Sequence, residues 1–202
     1  MIISLLISFA LLLLAITVHE FSHGWVAYKL GDSTAKYSGR LTLNPLAHID
    51  PLGTVLLPLI LFITTQGQFV FGAAKPVPIN YRALKNPKRD IIWVGLSGPL
   101  ANFIFAIFLS ILWRFLPHFQ IVNFIFASLI SINVLLGVFN LVPIPPLDGS
   151  RVVMGLLPDE LASHYAMIEP YGFIIIIAFI GLGVFNTLIE PIVRVALSWL
   201  LI

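Results

Sequence analysis

From Ile2 to Val18 the chain carries no charge, with only Ser4, Ser8 and Thr17 as polar interruptions. It then runs unbroken into His19-Glu20-Phe21-Ser22-His23. Such a segment reads as a membrane-spanning helix. An ionisable side chain at bilayer depth costs at least ~2.5–3.5 kcal/mol on insertion scales, so three close together demand a compensating partner. Helical geometry supplies one. Positions i and i+4 lie on one face a turn apart, so His19 and His23 can share a single Zn²⁺. Glu20 stands beside them as general base for a water activated by the metal. The pattern is that of a metallohydrolase site built into a membrane helix.

The rest of the composition fits that reading. Of 202 residues, 59% are hydrophobic and 10% charged, and the mean hydropathy is +1.02. Soluble domains carry about 25% charged residues, so the sequence predicts an integral membrane protein. The length suits one membrane-embedded domain over 1–202, with its core in 1–149 and C-terminal helices in 150–202. The absence of cysteine rules out disulfides and thiolate metal sites. A pI near 9.0 accompanies a formal net charge of only +2, so no nucleic-acid partner is expected. The N-terminus lacks a basic leader region and passes straight into His19, which predicts a retained helix rather than a signal peptide.

Four apolar stretches are long enough, or nearly so, to span: Ile2 to Leu30, Ile91 to Phe115, Ile121 to Leu141 and Tyr171 to Leu188. Leu52 to Thr65 is shorter and carries Pro58, and Ile192 to Ile202 is short and interrupted by Arg194. The final piece fits an interfacial helix or part of a tilted span. Lys29, Lys36, Arg40, Lys75, Arg82, Lys85, Lys88 and Arg89 are eight of the eleven Lys and Arg, all between the first helix and Ile91. The positive-inside rule puts that whole region in the cytoplasm. A full crossing by Leu52 to Thr65 would strand five of them outside, so a re-entrant or partial insertion is expected. Parity then brings Leu147-Asp148-Gly149 to the same side as the histidines. With His19 ten residues before Lys29, about 15 Å at ~1.5 Å per residue, the site lies nearer the cytoplasmic face.

Lys36 to Leu43 and Gln68 to Phe71 carry aromatic and β-branched residues bounded by Gly and Pro, and Lys75-Pro76-Val77-Pro78 favours an extended edge. Short β-like segments over 36–43 and 68–78 are therefore expected, re-entrant or interfacial. Trp25, Tyr28, Trp93, Trp113 and Trp199 fit interfacial belts.

Two histidines do not complete a zinc site; hydrolytic zinc commonly takes three protein ligands. His118 and His164 fall in predicted loops, and His48 and Asp50 read as a turn or cap. Asp148 is the stronger candidate. It follows Pro143, Pro145 and Pro146, which stop helix hydrogen bonding, and precedes Gly149, expected to let the backbone turn sharply. Non-helical chain at membrane depth is tolerated mainly where it lines a cavity. The charges balance too, Zn²⁺ against Asp148 and Glu20.

With these residues in place the chain resembles the site-2 proteases, zinc metalloproteases that cleave within membranes. The resemblance rests on His19 to His23, on Asn140-Leu-Val-Pro-Ile-Pro-Pro-Leu-Asp148-Gly149, and on Ser97-Gly98-Pro99-Leu100-Ala101-Asn102. It extends to Leu43-Asn44-Pro45-Leu46-Ala47-His48-Ile49-Asp50-Pro51-Leu52-Gly53, which is similar to the bacterial and archaeal members. It implies one zinc per chain held by His19, His23 and Asp148, with Glu20 activating the water. It implies Asn140 at the scissile carbonyl or oxyanion, and Asn102 in a structural or oxyanion-side role. A three-helix catalytic core plus one or two C-terminal helices is the implied architecture, in a polytopic α-helical membrane protein. The implied reaction is hydrolysis of peptide bonds in or near transmembrane segments of membrane proteins, in the plasma membrane of a prokaryote. No PDZ or CBS domain is recognisable, and a regulatory membrane protein is a further implied partner.

Three other functions fit parts of the pattern. A divalent-metal transporter would show repeats with matching broken helices, and none appears. Two histidines and a carboxylate would also suit a non-haem iron oxygenase, which leaves Glu20 unused. A catalytically inactive homologue that only binds membrane proteins would not need every catalytic group.

Overall fold

The computed structural model describes residues 2–56, 60, 75–117 and 119–201. The first apolar stretch forms one helix, α1 (Ile2–Lys29). Its hydroxyls bond back into the helix, Thr17 Oγ1 to Leu13 O at 2.6 Å and Ser22 Oγ to Val18 O at 2.8 Å, which removes their burial penalty. A single turn, α2 (Thr34–Tyr37), follows. The second and third spans are α3 (Pro87–Trp113) and α4 (Gln120–Asn140). Helix α3 starts four residues before its apolar stretch. Pro87 suits the first turn, and the Asp90 carboxylate accepts the Asn86 N–H at 2.8 Å.

Beyond the prolines lie α5 (Asp148–Leu156), α6 (Asp159–Ala166), α7 (Gly172–Gly181) and α8 (Glu190–Leu200). Among the described residues, four helical runs are long and apolar enough to cross a membrane: within α1, α3, α4, and Asp159–Gly181, which joins α6 and α7. The protein is a polytopic helical membrane protein. The fourth apolar stretch does not continue to Leu188 as one helix. The chain turns at Gly183, whose φ is +74°, before α8 closes back on the core.

Helix α3 is central, packed against α1, α4 and α5. Leu11 and Ala15 of α1, Ala106 and Leu109 of α3, and Leu129, Ile130, Val134 and Val138 of α4 form the buried apolar core. Ala15, Ala106, Ile130 and Val134 have no exposed surface; small residues on α1 and α3 let the helices approach closely. Ser110 Oγ donates to Leu200 O at 2.7 Å and ties α8 to α3.

Two sequence expectations change here. No β-ladder forms over 36–43: Asp32 accepts the N–H and hydroxyl of Thr34, turning the chain helical, and no strand lies beside it among the described residues. Of 68–78, only 75–78 lies within the described residues, and it forms neither helix nor strand. Most of Leu52 to Thr65, and with it the expected re-entrant or partial insertion, lies outside the described residues; on either side of it the Lys75 N–H donates to His48 O at 3.1 Å. His118 is outside the described residues, and His164 sits in α6, exposed, rather than in a loop.

Candidate metal centre

His19 and His23 lie one turn apart on α1, both buried at 7% and 6% exposure. Their Nε2 atoms are 3.0 Å apart, and Asp148 Oδ2 lies 3.0 Å from one and 3.2 Å from the other. Asp148 thus lies at the level of the two histidines. Asp148 opens α5, and Gly149 is helical rather than a sharp left-handed turn. A Cβ at 149 would come 2.2 Å from Leu141 O and 2.6 Å from Val142 O. Glycine is required there for close approach to the end of α4, not for a special dihedral.

The other face of each imidazole is held by α3 and α4. His23 Nδ1 lies 2.7 Å from Val94 O, an acceptor only, so Nδ1 carries the proton and, in the neutral ring that a metal requires, Nε2 carries a lone pair. The Asn102 amide nitrogen donates to Ala15 O at 3.2 Å and to Asn133 Oδ1 at 2.7 Å. That leaves Asn102 Oδ1 to accept from His19 Nδ1 at 2.6 Å, and His19 Nε2 is again a lone pair. Asn133 in turn donates to Leu129 O at 2.8 Å. Three electron-rich atoms thus converge, and they repel one another unless a cation joins them. Tetrahedral ligands about 2.0–2.1 Å from one zinc stand roughly 3.3 Å apart, near the observed spacings. Gly98 completes the cradle: a Cβ there would lie 2.4 Å from His23 Nε2 and 2.6 Å from His19 Nε2. The donor set and the space both fit zinc.

Of Ser97 to Asn102, the run that the resemblance invoked, three residues meet the histidines, while Leu100 is exposed. Ser97 Oγ sits 3.2 Å from His23 Nδ1 and donates to Val94 O. Gly98 admits the imidazoles, and Asn102 orients His19. Asn102 is fully buried, and its Oδ1 is engaged by His19 Nδ1. Asn133 and Val94 O were not singled out from sequence; a polar residue amid the apolar run of α4 was the available signal. Glu20 is half-buried, and its Oε2 accepts the Val77 N–H at 2.8 Å. Asn140 ends α4 and donates to Leu136 O at 3.0 Å.

Helix α5 is braced from behind. Arg151, one turn past Asp148, makes a bidentate pair with Glu169 at 3.0 and 2.5 Å and lies over the Tyr81 ring. Burial works against the Arg151 cation, but Glu169 offsets it and holds its pKa above the ordinary value. Burial likewise pushes the Tyr81 phenol up, against the Arg151 charge.

With this geometry in hand, the relatives are informative. The sequence profile of Peptidase family M50 matches residues 7–125 and 116–180, and the chain belongs to that family. YwhC of Bacillus subtilis, which carries a provisional zinc-metalloprotease name, is 40% identical over 173 residues, covering 81% of this chain and 75% of its own length. Zinc metalloprotease MJ0392 of Methanocaldococcus jannaschii is 28% identical over 153 residues, 75% of this chain and 34% of its own. Regulator of sigma-E protease RseP of Escherichia coli is 34% identical over 96 residues, 46% of this chain and 21% of its own. No solved structure matches. The protein is a site-2-type, membrane-embedded metalloprotease with Zn²⁺ as cofactor. The transporter and oxygenase readings give way to that membership.

Proposed function

We propose that His19, His23 and Asp148 hold the zinc, that Glu20 is the general base, and that the enzyme hydrolyses peptide bonds in or near transmembrane segments of other membrane proteins. The observation that carries this is the convergence of the two Nε2 atoms and a carboxylate oxygen, all within 4.8 Å of one another. Zinc held there supplies Lewis-acid polarisation of a carbonyl and a more acidic water. Glu20 would accept the proton of the attacking water and return it to the leaving amine. Asn140 Nδ2 has one proton engaged with Leu136 O; in this reading the other donates to a developing oxyanion. The bonds of Asn102 and Val94 O to Nδ1 keep both imidazoles in the ligating tautomer.

The same reading gives one membrane domain, core 1–149 with helices 150–202 against it, in a prokaryotic plasma membrane. Lys29, ending α1, and Lys85, whose N–H bonds Leu30 O at 2.9 Å, bring the basic ends of α1 and α3 together. The positive-inside rule makes that end cytoplasmic, and the site lies nearer to it. A regulatory membrane protein would act on substrate access.

The test compares purified wild type with Glu20→Gln in detergent, measuring zinc per chain and cleavage of a reporter with one transmembrane segment. Zinc in both with cleavage only by wild type is expected. Cleavage by Glu20→Gln at the wild-type rate would overturn the assignment of the base.

A further inference from the structure

Glu20 is gripped from outside its own helix. The chain over it is Lys75-Pro76-Val77-Pro78-Ile79-Asn80, and the Val77 N–H donates to Glu20 Oε2 at 2.8 Å. Proline has no N–H, so Val77 owns the single main-chain donor of residues 76–78, and proline on both sides keeps the stretch extended. No neighbouring amide competes for the carboxylate.

This strap is tied at both ends. The Lys75 N–H donates to His48 O at 3.1 Å. Arg40 Nη2 donates to Lys75 O at 2.9 Å and Pro76 O at 3.4 Å. The Asn80 N–H donates to Asp32 Oδ2, itself buried, at 2.7 Å. Between the ties, Val77 is buried against Gly24, where a Cβ would stand 3.0 Å from Val77 Cγ1. Gly24 is four residues past Glu20 on the same helix face. Side-chain packing and the hydrogen bond therefore fix the strap to one turn of α1, the turn that carries the ligands and the base.

We infer that Val77 is a positioning residue for the hydrolysis: its amide holds Oε2 of Glu20 so that the other carboxylate oxygen is presented for proton transfer. The inference rests on Glu20 being the general base. A free glutamate must lose the freedom of its rotatable bonds before it can transfer a proton; the strap removes that freedom beforehand.

The test uses the full chain in detergent and a single-span reporter that wild type cleaves, with kcat, KM and zinc content measured separately. Replacing Val77 by its α-hydroxy acid keeps the side chain and deletes the N–H, weakening besides only the acceptor Pro76 O, whose bond from Arg40 is the long one at 3.4 Å. A fall in kcat of about tenfold is expected, with KM and zinc within about twofold of wild type. Val77→Ala, the conservative variant that keeps the N–H, is expected to hold at least about a third of wild-type kcat. Unchanged kcat in the ester variant overturns the inference; so does an equal fall in Val77→Ala, which would assign the effect to packing. Glu20→Gln runs alongside. If it cleaves normally, the base assignment itself fails; if it is inactive while the ester variant is unimpaired, only the role of Val77 fails. A second readout needs no substrate: the Val77 amide proton, followed by NMR in valine-labelled protein, is expected to move upfield in Glu20→Gln, and an unmoved resonance overturns the contact.

Discussion

The two sides of the metal centre are built by opposite means. On the α1 side an unbroken helix delivers His19 and His23 through its own period, and α3 and α4 only orient them. On the other side Asp148 arrives because α4 stops at Asn140, prolines at 143, 145 and 146 keep the chain from continuing as helix, and α5 restarts at the aspartate. A continuous helix tolerates small shifts, since both histidines move together. A broken chain has no such protection, so Asp148 depends on close backbone approach at Gly149, with the Arg151–Glu169 pair a lesser brace. The first side is robust by geometry, the second by packing.

The sharpest way to break this contrast is Asp148→Ala. Zinc is expected to be lost along with cleavage, a fall of at least about 10³-fold, measured as metal per chain and reporter turnover. Retained zinc would mean that the α1 side suffices.

Next come the two close approaches. Gly149→Ala forces a Cβ against Leu141 O, and Gly98→Ala forces one between the imidazoles. Overpacking of this kind typically costs about 1–3 kcal/mol. Gly149→Ala is expected to lower thermal stability and zinc content together, because backbone must move. Gly98→Ala is expected to impair zinc binding more than stability. Equal behaviour in melting and metal titration would remove the distinction between the two sides.

Asn102→Ala is expected to weaken zinc binding by about 10–100-fold, the usual effect of removing the partner of a ligating histidine. Asn133→Ala, one step further back, should have a smaller effect. Competition with a chelator measures both.

The smallest change is expected from Arg151→Met. The pair with Glu169 is partly exposed, with side chains at 17% and 40%, so its loss should lower stability by about 1 kcal/mol. Zinc affinity should move only a few-fold. A large loss of zinc would show that the brace sets the position of Asp148.

Most of the centre could be read before any coordinates. The i, i+4 histidines were legible because helical period fixes which residues share a face, and charge inside an apolar run demands a reason. Asp148 was legible through the prolines before it. What could not be read were partners remote in sequence: Asn102 Oδ1 on His19 across 83 positions, Val94 O on His23 across 71, and Val77 N–H on Glu20 across 57. Two of these are main-chain groups that every residue possesses, so no residue type announces them. The β-like reading of 36–43 failed for a related reason, since strand-forming side chains make a strand only when a neighbour supplies the ladder.

The sequence by itself determined the membrane class, the placing of two histidines and a glutamate on one stretch of α1, and the break that presents a carboxylate, because these follow from hydrophobicity, helical period and proline chemistry. Tertiary structure alone decided that the Nε2 atom of each imidazole faces Asp148, why residues 98 and 149 must be glycine, and what holds Glu20. Those depend on distances between elements, which packing sets and local sequence does not.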